Sequence, residues 1–124
     1  MTCHDIYIAA LALIGEPKDN TGTADYAARS PHLLSVIFSR FARVSEALSG
    51  AQISRISLNI SSLSQAFPLD ERLAALTSEV LASMLIIDEY PEISGMLASR
   101  ADADLKMIES GIVSVTSTRE VYGS

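Results

Sequence analysis

The segment from Leu73 to Ile87 constrains the fold more than any other part of the sequence. Its apolar residues follow helical spacing and then widen over the rest of the helix surface, at Leu73, Leu76, Val80, Leu81, Met84, Leu85, Ile86 and Ile87. A helix that is apolar on all sides is buried from several sides. We therefore predict that this segment is the central helix of the domain, opened by residues 68–72 with Asp70 as its N-cap.

A short N-terminal helix precedes the central one. Thr2 and Asp5 have the spacing of a capping box, which predicts a helix start at the beginning of the chain. Gly15 ends this helix, and Pro17 cannot continue it. Residues 16–23 that follow are predicted to form a polar loop.

The second helix is longer and begins near Asp25. Its apolar stripe is formed by Leu34, Ile37, Phe38, Phe41, Val44 and Leu48. Pro31 either restarts the helix, with Ser30 as N-cap, or bends it. Ser49 and Gly50 end it.

The middle of the chain differs from its flanks. Residues 51–67 are rich in serine and β-branched side chains and poor in helix formers, so we expect a short strand or an extended loop there. A fourth helix is then predicted to begin near Pro91 and to end at Gly111. Its apolar positions are Ile93, Met96, Leu97, Ala101, Leu105 and Ile108.

The sequence therefore predicts an all-α protein of about four helices. The helical domain occupies residues 1–111, and residues 112–124 form an extended C-terminal tail because β-branched residues cluster at its start. A tail this apolar is unusual for a solvated terminus. It either packs back on its own domain or reaches into a neighbouring subunit.

Composition favours association over nucleic-acid binding. Of the 124 residues, 48% are hydrophobic and only 19% are charged, so either the core is large or some apolar surface meets a partner. The formal net charge of −6 opposes phosphate binding. Charge is nevertheless distributed unevenly along the chain. Residues 29–57 contain one acidic residue, Glu46, and four basic ones: Arg29, Arg40, Arg43 and Arg55. This basic stretch either docks on an acidic surface or is a solvated helix face.

Several further classes of protein are disfavoured. Cys3 is the only cysteine, which excludes an intrachain disulfide framework. The apolar run from Ile6 to Ile14 is too short to span a bilayer, and Asp5 stands where a signal peptide carries basic residues. We expect a cytoplasmic protein without a membrane segment.

No catalytic motif is apparent. His4 and His32 are the only histidines, and neither lies in a motif that would pair it with a nucleophile. Cys3 and His4 are neighbours on a helix and so point in different directions. One cysteine and two histidines do not form a zinc-binding pattern. We expect no enzyme activity, no cofactor and no metal site.

Four stretches follow one another over nearly the whole chain. They are the first helix with its Ile14-Gly15-Glu16-Pro17 stop, Asp25–Leu34 before the long helix, Phe67–Arg72 before the buried helix, and the acidic turn Asp88–Pro91. In this order and spacing they resemble the head–tail connector, or adaptor, proteins of tailed bacteriophages and prophages.

The resemblance implies a structural protein of the virion neck, assembled in the cytoplasm of a bacterial host. It implies a homo-oligomeric ring beneath the portal protein that extends the DNA channel, without specific DNA binding, and carries the next neck or tail protein. Residues 112–124 would reach the portal or a neighbouring subunit. Together with the basic stretch, this gives as contact residues Arg40, Arg43, Ile112, Val113, Val115, Val121 and Tyr122. The alternative is a small cytoplasmic helical module for protein interaction or regulation.

Overall fold

The computed structural model describes residues 1–15 and 24–122, with side chains described as far as residue 112. The described chain is helical, with α1 over Cys3–Leu13, α2 over Ala24–Ser49, a short α3 over Arg55–Leu58, α4 over Ala74–Ile86 and α5 over Pro91–Tyr122. Within these residues, the one β-type pairing outside the helices is an isolated bridge between Thr2 and Ala66. The all-α prediction is confirmed, while the loop predicted at 16–23 lies outside the described residues.

Helix α1 begins with the capping box that the sequence predicts. The backbone N–H of Thr2 donates to Asp5 Oδ2 at 2.7 Å, and the N–H of Asp5 donates to Thr2 Oγ1 at 3.4 Å. The helix ends at Leu13, followed by Gly15 with a φ of 76°. Glycine suits this left-handed conformation because it carries no Cβ.

Helix α2 runs without interruption through Pro31, so a restart at Ser30 is not what the structure shows. Ser30 is instead buried inside the helix, and its hydroxyl donates to the Tyr26 carbonyl at 2.6 Å. A proline in a helix removes one backbone hydrogen bond. The hydrophobic stripe continues on both sides of Pro31, from Tyr26 to Phe41, and its burial favours a continuous helix.

The middle segment lies against α2 as an extended loop with one helical turn, α3. Two polar side chains of α2 accept hydrogen bonds from its backbone N–H groups, Ser35 from Ile60 at 2.8 Å and Glu46 from Ile53 at 3.0 Å. Just after the segment, Asp70 N–H donates to Ser45 at 2.7 Å. These bonds satisfy backbone donors that a strand partner would otherwise satisfy. The strand alternative is therefore wrong, and the loop is confirmed except over Arg55–Leu58, where the structure has a helical turn that the sequence did not predict.

Helix α4 is the central helix, as predicted. It follows a 3₁₀ turn over Glu71–Leu73 whose N-cap is Asp70, and it packs against α1, α2 and α5. An Arg72 guanidinium nitrogen bonds the Leu48 carbonyl at 2.7 Å, and an Arg29 nitrogen bonds that of Leu85 at 3.1 Å. These two bonds join opposite ends of α2 and α4, so the two helices run antiparallel.

Helix α5 corrects two predictions. It begins at Pro91 as expected but continues through Gly111 to Tyr122, so the predicted helix end and the extended tail over 112–124 are wrong for residues 112–122. Glycine inside a helix costs only about 1 kcal/mol relative to alanine, and β-branched residues cost less. At a rise of about 1.5 Å per residue, the 32 residues of α5 span about 48 Å, against about 20 Å for the 13 residues of α4.

Candidate interaction surfaces

The residues considered for nucleophilic or metal chemistry are dispersed. Cys3 is buried, and burial raises the pKa of its thiol to about 11, so the thiol is protonated at neutral pH. His4 and His32 are exposed on α1 and α2 respectively. In the part of the chain that the structure describes, no group of three or more His, Cys, Asp or Glu side chains could hold a metal ion. None of its helices has the length and hydropathy to cross a membrane.

Three of the four arginines of the basic stretch are exposed, whereas Arg29 is half-buried and pairs with Asp25 at 2.9 Å. Arg40 and Arg43 are both exposed on α2, and Arg55 is exposed on α3. The guanidinium of Arg40 lies 5.4 Å from the centre of the Phe41 ring, within the range of a cation–π contact. Arg43 and Arg55 line an open groove between α2 and the middle segment. None of the three forms an ion pair with another described residue.

Arg40 also borders a separate cleft where α2, α4 and α5 meet, which we call the Arg40 cleft. Its volume is about 180 Å³. Seven of its ten lining residues are apolar, and the polar ones are Arg40, Ser83 and Asp102. The apolar ones are Phe41, Leu76, Val80, Met84, Ala98, Ala101 and Leu105. Arg40 and Asp102 are its two charged lining residues, and Lys106 pairs with Asp102 at 3.1 Å. Arg40 is therefore the charged lining residue without an ion pair among the described residues.

The α4–α5 turn, residues 87–93, has the opposite charge. Asp88, Glu89 and Glu92 are exposed there and pair with no described cation. Between them Tyr90 is 52% exposed. Its backbone is fixed, because its N–H donates to the Ile86 carbonyl at 2.8 Å and its carbonyl accepts from Ser94 at 2.9 Å. The turn thus presents an exposed aromatic ring, on a fixed backbone, among unpaired carboxylates.

The outer face of α5 is exposed and carries large apolar side chains. Met96 is 72% exposed and Met107 is 74% exposed. They lie eleven residues apart on the helix, which is about three turns and places them on the same side. Ala103 lies between them on that side and is also exposed. Flexible methionines on a surface are typical of protein-binding faces.

A buried carboxylate lies between α4 and α5. Glu79 of α4 is buried, with Arg100 Nε 3.9 Å from its Oε1 and no hydrogen-bond partner for its Oε2 among described residues. Burial raises the pKa of Glu79, and the neighbouring Asp104 carboxyl raises it further, while Arg100 lowers it. The stability of this helix contact therefore depends on pH.

The predicted contact residues do not form one cluster. Arg40 and Arg43 lie on α2 as expected, but they border different grooves. Ile112 is half-buried on α5. The backbone of Val113, Val115, Val121 and Tyr122 continues the same helix, and their side chains lie outside the described part. The role of these residues in subunit or portal contact stays a prediction.

Sequence reasoning missed Tyr90 as a surface residue and Glu79 as a buried one. The signal for Glu79 was present, because it is the one charged residue within an otherwise apolar and small-residue helix over Ala74–Ile86. The signal for Tyr90 was its position between acidic residues and before Pro91, in a turn that has little room for burial.

Comparison with known proteins adds no family to this picture. No protein-family model, no curated protein and no solved structure matches the chain.

Proposed function

We propose that this chain is a structural subunit that assembles with copies of itself and joins a phage portal to the tail as a head–tail connector ring. The observation that carries the proposal is the distribution of unpaired surface. A basic face on α2 and α3, an acidic turn between α4 and α5, and an apolar face on α5 are all exposed in one small domain.

Unpaired surface charge of both signs favours an assembled subunit over an isolated monomer. The acidic turn lies at the end of α4 that contacts Arg29 in the first part of α2, since Arg29 bonds the Leu85 carbonyl. Arg40 is eleven residues further along α2, about 17 Å by helix rise. The acidic turn and Arg40 therefore lie apart on the domain surface, where both are available to other molecules. Complementary surfaces of this kind steer association and fix register.

The length of α5 also supports an assembly. The helix is more than twice as long as α4, its main packing partner. A helix that extends past its own domain gains stability when it packs against another chain, because most helical stability comes from tertiary packing. This supports the contact with the portal or a neighbouring subunit that the resemblance implies for the C-terminal residues. Residues 112–122 would make that contact as a helix and not as an extended tail.

The first test is the DNA on either side of this reading frame. Adjacent genes for a portal, a capsid protein and tail components are the expected result. Flanking metabolic or regulatory genes would argue against a connector and favour the small cytoplasmic interaction module.

The second test is assembly on the portal protein encoded beside it. Co-expression should give a complex with multiple copies of this chain, visible as a ring by electron microscopy. The double variant Arg40→Glu/Arg43→Glu should weaken this complex, whereas Arg40→Lys/Arg43→Lys, which keeps both charges, should retain it. Removing residues 112–124 should abolish docking. A native mass of one or two subunits that no portal changes would contradict the proposal.

A further inference from the structure

We infer that the α4–α5 turn of one copy inserts Tyr90 into the Arg40 cleft of the next copy. This inference rests on the proposed function, since it names the contact by which the copies would join. The Tyr90 ring would fill the Arg40 cleft of the next copy. Neither the cleft nor the exposed ring serves to hold the fold of a single chain together.

The size of the cleft favours a single side chain as its occupant. Sites for drug-sized ligands are typically about 300–1,000 Å³, whereas this cleft is about 180 Å³. Its apolar walls suit a ring, and the guanidinium of Arg40 lies at the rim. An arginine beside an aromatic ring is a common anchor arrangement at protein interfaces.

The α4–α5 turn supplies the matching shape and charge. Among the phenylalanine and tyrosine residues whose side chains the structure describes, Tyr90 is the one in the exposed class. The carboxylates of Asp88, Glu89 and Glu92 around it complement the charge of Arg40. Ile56 is more exposed than Tyr90, but it follows Arg55 on the basic face and would bring like charge to the rim.

The backbone at Tyr90 is already held in place before any partner binds. Its backbone is held by the two hydrogen bonds to Ile86 and Ser94, and Pro91 fixes the next φ angle. An anchor that is already positioned loses little conformational entropy on binding. Two apolar neighbours, Ile87 and Ile93, flank it and would exclude water from the rim of the contact.

The contact joins different surfaces of the two copies. Tyr90 does not line the cleft of its own chain, and the nearest lining residue on α5, Ala98, is eight residues further along the helix. Each copy therefore offers one turn and one cleft. A head-to-tail contact of this kind closes into a ring when the rotation between copies allows it, and otherwise forms a filament.

Complementation between two variants tests this geometry. Tyr90→Ala removes the anchor and keeps the cleft, whereas Ala98→Trp fills the cleft at an exposed position and keeps the anchor. By sedimentation velocity over a concentration series, wild-type chain should associate, and each variant alone should associate at least about thirtyfold more weakly, as for a central interface side chain. An equimolar mixture should form a heterodimer and nothing larger, since only one productive contact remains.

Two controls separate the anchor from general effects. Tyr90→Phe keeps the ring and should associate as the wild type does, and Ile56→Ala removes apolar surface elsewhere and should also have no effect. Circular dichroism verifies that every variant keeps the helical content of the wild type. As a second measurement, a benzoyl-phenylalanine photocrosslinker at position 90 should attach to the segment from Ala98 to Leu105, or to Arg40, of another copy.

Three results would overturn the inference. They are single variants that associate as strongly as the wild type, a mixture that stays monomeric while the wild type assembles, and a wild type that stays monomeric over the whole series. The proposed function has a separate readout, the multi-copy complex with the portal. A ring on the portal that tolerates both Tyr90→Ala and Ala98→Trp would therefore leave the connector function standing and remove this contact from it.

Discussion

Helices α4 and α5 are consecutive and pack against each other, yet they bury very different shares of their surface. In α4 every residue except Ala74, Ala75 and Met84 is buried. In α5, as far as residue 112, only Ser94, Leu97 and Ala101 are buried. The difference shows that α4 is the central helix of the domain. Helix α5 lies at the surface, with one side packed on the core and the other side exposed to solvent.

The two helices differ in composition more than in periodicity. Helix α4 is apolar on several sides because α1, α2 and α5 surround it. Helix α5 combines apolar residues on its inner side, such as Leu97 and Leu105, with exposed methionines on its outer side. The sequence places Met96 and Leu97 in one apolar set, whereas the structure buries Leu97 and exposes Met96 as part of a second apolar surface. An exposed apolar surface of this kind is typical of a contact with another protein.

The largest expected effect separates the two helices by stability. Leu81→Ala removes a fully buried side chain of α4 and should lower the free energy of unfolding by about 2–5 kcal/mol, because a cavity remains in the core. Met107→Ala on α5, where the side chain is 74% exposed, should change it by no more than about 0.5 kcal/mol. Urea unfolding followed by circular dichroism measures both. Equal losses would mean that α5 is buried as deeply as α4.

The sequence predicts this contrast in part. The apolar run in α4 and the end signals at Thr2, Gly50 and Asp70 act locally, so they can be read from a few neighbouring residues. The continuation of α5 past Gly111 is different, because local preferences there are worth less than about 1 kcal/mol and do not decide the helix end. The middle segment likewise depends on hydrogen bonds that its backbone donates to α2 side chains up to 25 residues away, such as that from Ile60 to Ser35.

The candidate site shows the same division between local and distant causes. Exposure of Arg40 and Arg43 follows from their position off the apolar stripe of α2, and the sequence indicates it. The Arg40 cleft is built by three helices, with lining residues from Arg40 to Leu105. Its existence depends on how closely those helices approach, which no short stretch of sequence encodes.

A second prediction concerns the contact that joins the two helices. Ser83 Oγ donates to the Ser94 carbonyl at 2.9 Å, and Ser94 Oγ donates to the Ser83 carbonyl at 2.8 Å, with both side chains buried. Ser83→Ala and Ser94→Ala should each lower the free energy of unfolding by about 1 kcal/mol. The double variant should lose less than the sum, since the hydroxyls are 3.1 Å apart and act together. Strict additivity would show that the two bonds are independent.

A third prediction tests the open end of α5. Gly111→Ala should increase the helical signal by circular dichroism and stabilise the helix locally by up to about 1 kcal/mol. Gly111 is inside a helix, and apart from the adjacent helix backbone a Cβ there meets no described atom within 4 Å. Hydrogen exchange over residues 112–122 should slow accordingly. The matched control is Gly95→Ala, near the other end of the same helix, where an added Cβ has equally free space. A loss of helical signal at Gly111→Ala alone would mean that the helix stops there.

The smallest expected effect at neutral pH comes from the carboxylate between the two helices. The raised pKa of Glu79, caused first by burial and then by Asp104, means that the folded protein keeps this proton to higher pH than the unfolded chain does. The stabilising contribution of the protonated group is therefore fully present below the ordinary pKa of glutamate and is lost as pH rises through the folded value. Glu79→Gln cannot lose a proton, so its stability should fall less than that of the wild type as pH rises.

Urea unfolding at a series of pH values from about 4 to about 8 measures this difference. The two stability curves should diverge as pH rises, with Glu79→Gln the more stable at neutral pH by less than the gain at Gly111. The matched control is Glu109→Gln, at an exposed position of α5, which should run parallel to the wild type. If the Glu79→Gln curve is also parallel, then water or Arg100 satisfies the Glu79 carboxylate, and the contact between α4 and α5 is open to solvent at that point.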